Sequence, residues 1–340
     1  MAVYRREVTR QPGPTDGPQV DRSGTPQAPP SHDAAGMSVA VVIPVLNGAT
    51  TIARCVEACL AQSRAPREVI VVDNDSEDAT AARARDAGAR VLYEPTRGGS
   101  AARNLGWKAT DAEVVAFTDD DCEPDPRWLE ELAVPFGDPS VAGAGGPIAL
   151  MEVHSATQRW FAERRFLDQE ANVTSDFLPF LATANAAFRR SVLEELGGFE
   201  GAIDPAGDTD FSWRVGALTN GRLVYRPGAV VRHDVGRRLH EVTGRWRRYE
   251  ASLYYLERRW SGWPGYPATR GFWTRTRRVW ELPLAVGNRV RTHRDPSVPL
   301  IDAAVAVNRE IGRTQGRLRA RHMTIPEMRL PAPEGQISSW

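Results

Sequence analysis

The segment Val114–Phe117 is a short apolar stretch that leads through Thr118 into three consecutive aspartates, Asp119, Asp120 and Asp121. An apolar run of this length that contains β-branched residues is typical of a buried strand in a parallel sheet. Open α/β sheets bind their ligands at the carboxyl ends of such strands. Adjacent carboxylates repel one another, and a divalent cation with phosphate oxygens relieves the repulsion. The alternative is a solvated turn whose aspartate caps the next helix.

Strand-like and helix-like segments alternate through the first half of the chain. The strand patterns cover residues 39–43, 68–72, 90–93 and 114–117, and each of the first three is followed by a helical pattern. This alternation predicts an α/β domain with a mostly parallel sheet, right-handed crossovers and flanking helices. Asp73 and the aspartate run would then end two strands at the same sheet edge. A Gly-Gly-Ser loop opens a helix that carries Arg103, and together these features predict a nucleoside diphosphate site.

Two common nucleotide-binding motifs do not occur in the sequence. The first strand is followed by Pro-Val-Leu-Asn-Gly at residues 44–48, which lacks the pattern Gly-x-Gly-x-x-Gly. The pattern Gly-x-x-x-x-Gly-Lys-Ser/Thr is found nowhere in the chain. The sequence therefore argues against a nicotinamide-dependent dehydrogenase and against a P-loop enzyme.

Charge is segregated along the chain although it sums to zero. Residues 37–236 contain 18 Arg, one Lys and 30 acidic residues, a net charge of −11, whereas residues 237–294 contain 14 Arg and four acidic residues, a net charge of +10. We predict a disordered tail over 1–36, which is rich in Pro, Gly and polar residues, and a folded domain over 37–236. A basic, aromatic-rich helical extension would follow over 237–294, and a partly helical or disordered segment over 295–340.

Nothing in the sequence predicts export or a membrane span. The longest apolar run, at 39–43, is too short to cross a bilayer, and residues 1–10 lack the apolar core of a signal peptide. Three cysteines cannot all pair, which suits a reducing compartment and predicts a cytoplasmic location.

The extension over 237–294 mixes cations with aromatic residues at helical spacing and has two interpretations. In the first, it lies peripherally on an anionic membrane surface, at the inner face of the membrane, or covers an acidic partner. In the second, it packs against the acidic domain as a lid or support, with arginine stems covering apolar surface. No nucleic-acid recognition motif accompanies the arginines, so we expect no nucleic-acid partner.

Asp208 precedes the apolar positions Phe211, Val215 and Leu218 of a predicted helix. Its spacing supports two roles equally. One role is a helix N-cap, which contributes about 1 kcal/mol. The other is general base catalysis.

Several short motifs, in a constant order over residues 38–235, resemble those of the family 2 glycosyltransferases. They are Val41–Asn47, Val71–Ser76, Ala102–Asn104, Phe117–Asp121, Gly197–Phe199, Gly207–Asp210 with Arg214, and Val231–His233. The resemblance implies a GT-A fold and an inverting hexosyltransferase that moves a sugar from a nucleotide-diphosphate donor to an acceptor hydroxyl. It also implies Mg²⁺ or Mn²⁺ as cofactor. The acceptor class stays open between a glycan, a lipid-linked molecule and a small molecule.

The same resemblance implies roles for individual residues. Asp208 would be the catalytic base, and Asp121, Asp119 and His233 would hold the metal ion at an Asp-x-Asp element. The donor would be bound by Pro44, Asn47, Asp73, Asp75, Arg103, Asp119 and Asp120. The candidates on the acceptor side are Asn185, Asp210, Trp213 and Arg214.

Two departures from the family pattern limit what the resemblance implies. Gly207 stands where a glutamate commonly precedes the base, so either Asp208 acts without that neighbour or Asp210 takes part. Val242 stands where processive synthases have the glutamine of Gln-x-x-Arg-Trp, which argues against a processive synthase. Two alternatives to a glycosyltransferase remain. One is a non-catalytic nucleotide-sugar-binding or scaffold protein. The other is a nucleotidyltransferase. Such enzymes usually have a basic, glycine-rich loop after the first strand, and residues 46–49 do not resemble that loop.

Overall fold

The computed structural model of the protein describes residues 36–236, 238–267 and 272–321. The tail predicted to be disordered lies outside the described residues except for Gly36, and so does the end of the chain from residue 322.

The described strands form a large sheet and a small one. They are β1 Val39–Val45, β2 Val69–Asp73, β3 Arg90–Tyr93, β4 Val114–Phe117, β5 Cys122–Pro124, β6 Val141–Gly145, β7 Ile148–Leu150, β8 Ala186–Arg189, β9 Arg222–Tyr225 and β10 Val231–His233. The large sheet has the order β3-β2-β1-β4-β8-β6-β9 and the small one β5-β10-β7. In the large sheet β8 runs antiparallel to both its neighbours, and the other pairs are parallel. The mostly parallel sheet predicted from the sequence is thus confirmed.

Strand β1 continues two residues beyond its predicted end, because Pro44 does not break it. Pro44 pairs with Val72 of β2, whereas the last pair with β4 joins Val42 and Phe117. Proline lacks the N–H that a ladder needs. That N–H would point to the side on which β4 has already ended, so the strand runs through the proline to Val45.

Helices cover both faces of the large sheet. They are α1 Ile52–Leu60, α2 Thr80–Asp86, α3 Gly99–Lys108, α4 Trp128–Ala133, α5 Ala156–Arg164, α6 Gln169–Val173, α7 Arg190–Leu196, α8 Gly207–Leu218, α9 Leu239–Trp260, α10 Phe272–Trp280, α11 Leu282–Arg291 and α12 Ser297–Ala320. Val41 and Ile43 of β1 pack in a cluster with α1 and α4, and Val42 packs in a second cluster with α3, α7 and α8. Each fully buried Val or Ile contributes about 1.5–3 kcal/mol. The continuous apolar pattern of β1 therefore reflects burial on both faces.

Helix α9 lies between α12 and the polypeptide that leads into α8. On one face, Glu250 is buried and its carboxylate pairs with Arg309 of α12 at 2.8 Å. On the opposite face, Leu256 packs with Ile203, and the Ser252 hydroxyl donates to the carbonyl of Asp204. For α9, the structure therefore favours the second interpretation of the extension, in which it packs against the domain.

Among the described residues, no helix is both long enough and apolar enough to cross a bilayer.

Candidate active site

The loops after β1, β2 and β4 meet at one edge of the large sheet. The backbone N–H of Asn47 donates to the Ser76 hydroxyl at 2.9 Å, and the Asn47 side-chain oxygen accepts from the N–H of Glu77 at 2.8 Å. Thr51 donates to a carboxylate oxygen of Asp120 at 2.7 Å. Because the three strands are adjacent and parallel, their ends converge here, and the residues predicted from the strand ends lie side by side.

Asp73 and Asp75 follow β2 but have different surroundings. Asp73 is buried and accepts a hydrogen bond from the N–H of Ser76 at 3.1 Å. Asp75 is half exposed, and its carboxylate accepts from Arg97 at 3.0 Å and from the Tyr93 hydroxyl at 2.9 Å. Hydrogen bonds from Arg97 and then Tyr93 hold the pKa of Asp75 below its usual value. Asp75 is therefore anionic at the rim of the site.

The three consecutive aspartates point to three different partners. Asp119 pairs with Arg103 of α3 at 2.8 Å, and both side chains are mostly buried. Asp120 accepts from Thr51, and burial together with the charge of Asp121 raises its pKa to about 7. Asp121 faces His233. The expected repulsion is thus relieved by an arginine, by partial protonation and by an imidazole.

Asp121 and His233 meet because β5 pairs with β10. An Asp121 carboxylate oxygen lies 3.1 Å from Nε2 of His233, and both lie within 4.8 Å of the Cys122 sulfur. Burial opposes ionisation of Asp121, but the imidazole outweighs it and lowers the pKa of Asp121. Burial likewise opposes protonation of His233, and the carboxylate outweighs it and raises its pKa. Each partner thus favours the charged form of the other, and a metal ion bound between them would have to compete with a proton for the imidazole nitrogen.

The donor set at this pair fits a divalent cation. A carboxylate oxygen and an imidazole nitrogen suit Mn²⁺, whereas Mg²⁺ prefers oxygen ligands alone. Within the described part of the chain, Nδ1 of His233 is buried and has no hydrogen-bond partner, so Nε2 is the nitrogen directed at the carboxylate. Burial and then Asp121 raise the pKa of the Cys122 thiol, which stays protonated and is a poor ligand for such a cation.

Asp208 lies at the start of α8, half-buried, and its carboxylate does not cap the helix by the usual pattern. One oxygen accepts from the N–H of Thr209 at 2.7 Å and the other from the N–H of Thr183 at 3.3 Å. Burial raises the pKa of Asp208 although the charge of Arg103 opposes the rise. Arg103 also interacts electrostatically with Asp119, so it connects the predicted base to the aspartate run. A carboxylate with a raised pKa is a suitable general base.

The structure explains why residue 207 is glycine. A Cβ on Gly207 would lie 2.3 Å from the hydroxyl oxygen of Ser100. That hydroxyl and the Ser100 N–H both donate to one carboxylate oxygen of Asp204, at 3.0 and 2.8 Å. A glutamate at 207 would therefore require Ser100 to move.

The residues predicted for the acceptor side have interior contacts. Asn185 is fully buried, accepts from Trp128 at 2.8 Å and donates to two backbone carbonyls. Asp210 is also fully buried, and its carboxylate accepts from Arg214 at 2.9 Å and from Trp260 at 3.0 Å. The structure does not bring Asp210 together with Asp208 as a second base, since its oxygens are engaged by α8 and α9.

Trp213 lies at the edge of an aromatic cluster. Its indole N–H donates to the carbonyl of Leu178 at 3.0 Å, and its ring packs against Phe177, Trp260 and Tyr266. It supports the segment before β8. Its role toward an acceptor stays a prediction.

Helix α9 brings two side chains to the site that the sequence interpretation did not include in it. Arg245 lowers the pKa of Asp121, and the charges of Asp208 and Asp119 add to burial in raising the pKa of Tyr249. Both residues share a helix face with Ser252, which is bonded to the Asp204 carbonyl. The spacing of residues 245, 249 and 252 in the sequence indicates that they lie on one face of a helix. It does not indicate what that face contacts.

Comparison with known proteins identifies relatives of this chain. Residues 40–197 match the family model described as Glycosyl transferase family 2. A pre-mycofactocin glycosyltransferase of Mycobacterium tuberculosis is 34% identical over 221 residues, which cover 62% of this chain and 44% of the relative. Glycosyltransferase AglE of Haloferax volcanii is 31% identical over 186 residues, which cover 52% of this chain and 60% of the relative. The chain thus spans about half the length of the curated relatives it matches.

Solved structures show the fold. A mannosyltransferase of Pyrobaculum calidifontis, solved with GDP-mannose and Mn²⁺, has a TM-score of 0.55 at 20% identity, covering 83% of this chain and 88% of that one. Glucosyl-3-phosphoglycerate synthase of M. tuberculosis, solved with phosphoglyceric acid, has a TM-score of 0.51 at 22% identity, covering 66% and 81%. The fold is the GT-A fold expected from the sequence, with a helical C-terminal region.

Proposed function

The chain belongs to glycosyl transferase family 2, and on that premise we propose that it moves a hexosyl group from a nucleotide-diphosphate donor to an acceptor hydroxyl, with inversion. The observation that carries the proposal is the convergence of Arg103, Asp119 and Asp208 at the edge where Asp121 meets His233. This edge offers cations for a leaving diphosphate and a carboxylate for the attacking hydroxyl. A solvated turn would need neither.

Donor binding is the first part of the proposal. Pro44, Asn47 and Asp73 line the strand ends where a nucleoside would lie, and Asp75 is at their rim. Arg103 pairs with Asp119 and interacts electrostatically with Asp208, and it would face the diphosphate. The sugar and the base of the donor are not specified by these contacts. The solved mannosyltransferase, which holds GDP-mannose, supports a nucleotide sugar as the class of donor.

Asp121 and His233 would hold Mn²⁺ or Mg²⁺, with Asp119 contributing once Arg103 turns to the donor. When bound, the cation supplies positive charge to the phosphate oxygens of the leaving group. The Mn²⁺ in the solved mannosyltransferase supports this cofactor. Arg245 of α9 adds a further positive charge near Asp121.

Asp208 would take the proton of the acceptor hydroxyl as that oxygen attacks the anomeric carbon from the face opposite the diphosphate. Its carboxylate is oriented by the N–H groups of Thr183 and Thr209, so it needs no neighbouring glutamate to be positioned. A general base contributes about 10²–10⁴-fold in rate. Burial raises the pKa of Asp208, and the positive charge of Arg103 limits this rise, which favours the ionised carboxylate that a base requires.

The substitution Asp208→Asn tests the proposal. The assay is hydrolysis of a panel of nucleotide sugars with Mn²⁺, in which water takes the place of the acceptor hydroxyl and the nucleoside diphosphate is released. Its rate should fall by about 10²–10⁴-fold. Donor binding, measured as a thermal shift, should persist, since ligand binding to the folded state raises apparent stability. Asp111→Asn is the matched control, because this exposed carboxylate pairs with Arg67 on the surface. Near-normal release in the Asp208 variant would refute the role.

The product of the same assay separates the two alternatives. Release of pyrophosphate from a nucleoside triphosphate would identify a nucleotidyltransferase. Donor binding without release, in the wild-type chain and with every nucleotide sugar, would identify a binding or scaffold protein. A cytoplasmic location with peripheral contact to the inner face of the membrane stays part of the proposal, and the acceptor class is open.

A further inference from the structure

Helices α10 and α11 expose large apolar side chains. Trp280, Leu284 and Val290 are 63%, 79% and 59% exposed. None of the residues of α11 is buried, although half of them are apolar. A helix with this composition usually covers a core or contacts another apolar phase.

An apolar groove lies beside these residues, between α10 and α12. Its volume is about 450 Å³, and its apolar lining comes from Val279, Trp280, Val307 and Ile311. Val307 and Ile311 are themselves 46% and 42% exposed. The exposed apolar surface of α10 therefore continues onto α12, and α11, which follows α10 directly in the chain, exposes further apolar side chains.

The surroundings of this surface are strongly basic. Residues 272–294 contain six Arg and one acidic residue. Four of these arginines are ion-paired, Arg275 with Glu310, Arg277 with Glu281, Arg278 with Asp302 and Arg289 with Glu163. Arg291 and Arg294 are exposed and form no salt bridge within the part of the chain that the structure describes. Leu284 and Arg291 are seven residues apart and so lie on one face of α11.

We infer that α10, α11 and the facing side of α12 form a docking surface for an anionic phospholipid membrane. Trp280 and Leu284 enter the region between headgroups and acyl chains, and the groove beside them accepts an acyl chain. Arg291 and Arg294 contact lipid phosphates. The inference specifies the peripheral membrane contact of the proposed function and does not depend on sugar transfer.

The charge pattern favours a membrane over a protein partner. Arg291 and Arg294 lie at the end of α11, the helix that exposes Leu284 and Val290, and a bilayer surface with many negative charges complements both of them at once. A tryptophan beside an aliphatic residue and arginines is typical of helices that lie in the membrane interface.

Vesicle flotation of the full chain tests the inference. The chain should float with vesicles that contain phosphatidylglycerol in phosphatidylcholine and should not float with phosphatidylcholine alone. Raising the salt concentration should weaken binding. The test triple carries Leu284→Gln, Arg291→Gln and Arg294→Gln. Each of its two arginine changes should lower the partition coefficient of the protein into anionic vesicles by about fivefold.

A matched triple variant on α1 and α2 is the control. Leu60→Gln, Arg83→Gln and Arg85→Gln make the same chemical changes at exposed positions elsewhere, and this variant should bind like the wild type. Circular dichroism checks that both variants keep their thermal midpoints. Equal binding by the test triple and the wild type, or no flotation of the wild type at low salt, overturns the inference.

Other occupants of the surface give different results. A dimer that the test triple dissociates, without vesicle binding, would assign the surface to a second copy and overturn the inference. Binding to duplex DNA as strong as to the anionic vesicles would overturn it in favour of a general polyanion site. Nucleotide release is measured without vesicles, so its loss in the Asp208→Asn variant, or its absence in the wild type, leaves the flotation result independent.

Discussion

Replacing Gly207 by alanine should destabilise the protein through one buried contact. Gly207 is the first residue of α8, and a Cβ there would meet the Ser100 hydroxyl oxygen at 2.3 Å. Ser100 is buried, and its N–H and hydroxyl both donate to Asp204. The hydroxyl therefore cannot rotate away without losing a hydrogen bond to a carboxylate. Either Ser100 or the start of α8, which carries Asp208, has to shift.

The expected magnitude combines two opposing effects. Overpacking of a buried contact costs about 1–3 kcal/mol. Replacing glycine by alanine in a helix returns up to about 1 kcal/mol. The free energy of unfolding of Gly207→Ala should therefore fall by about 1–2 kcal/mol. In a Ser100→Ala background the closest remaining atoms are the backbone oxygen of Glu200 and the Cβ of residue 100, both at 3.6 Å, which are ordinary contacts. The same change should then be neutral or slightly stabilising.

A double-mutant cycle measured by urea unfolding tests this reasoning. The single variants at 100 and 207 should couple by about 1–3 kcal/mol, in the direction of mutual rescue. Gly201→Ala is the control, because a Cβ there would meet no atom within 4 Å. Additivity within about 0.5 kcal/mol would refute the proposed clash, and so would an equal effect of the control.

Three further outcomes follow from the structure. Gly312→Ala should lower stability by about 1–3 kcal/mol in thermal unfolding, because its Cβ would lie 2.0 Å from the backbone oxygen of Arg247, whereas Gly287→Ala, with open space around it, should be neutral or stabilising. Since burial raises the pKa of Asp208, the ionised base is lost at a higher pH than for an ordinary aspartate, and the acid limb of kcat/KM should lie above about pH 4; a limb at or below that pH would contradict the assignment. Asp121→Ala should abolish the Mn²⁺-dependent part of the donor-induced thermal shift and leave the metal-free part unchanged, and an unaltered response to Mn²⁺ would argue against a metal ligand there.

The sheet edge was predictable from sequence because its signal is local. Asp73 and Asp119 follow apolar runs directly, and the carboxyl ends of adjacent parallel strands meet wherever the alternation of strands and helices is read correctly. The prediction that β1 ends before Pro44 was wrong because the signal there is not local. Whether a proline ends a strand depends on which neighbour its missing N–H would face, and that depends on where β4 ends.

The approach of Asp121 and His233 has no local signal. They are far apart in the chain and meet only because β10 pairs antiparallel with β5, a pairing that periodicity does not reveal. That His233 would lie near the metal ion was expected from the family resemblance alone. The ion pair between Asp210 and Arg214 could be predicted in part from the sequence, because a spacing of four residues on a helix is typical of such pairs. The third partner, Trp260, comes from α9 and could not be inferred from spacing.

The contacts at the start of α3 bear on where a diphosphate would be bound. The sequence suggested that the N-terminus of this helix, with its free N–H groups, would receive phosphate oxygens. In the structure the N–H of Gly98 donates to Asn74 at 2.7 Å and the N–H of Ser100 donates to Asp204 at 2.8 Å. Because a carboxylate already occupies this helix end, it adds negative charge where a phosphate would have to approach. On the proposed function, the positive charge for the diphosphate therefore has to come from Arg103, from Arg245 of α9 and from a cation held by Asp121, so α9 is part of the site and not only a support for it.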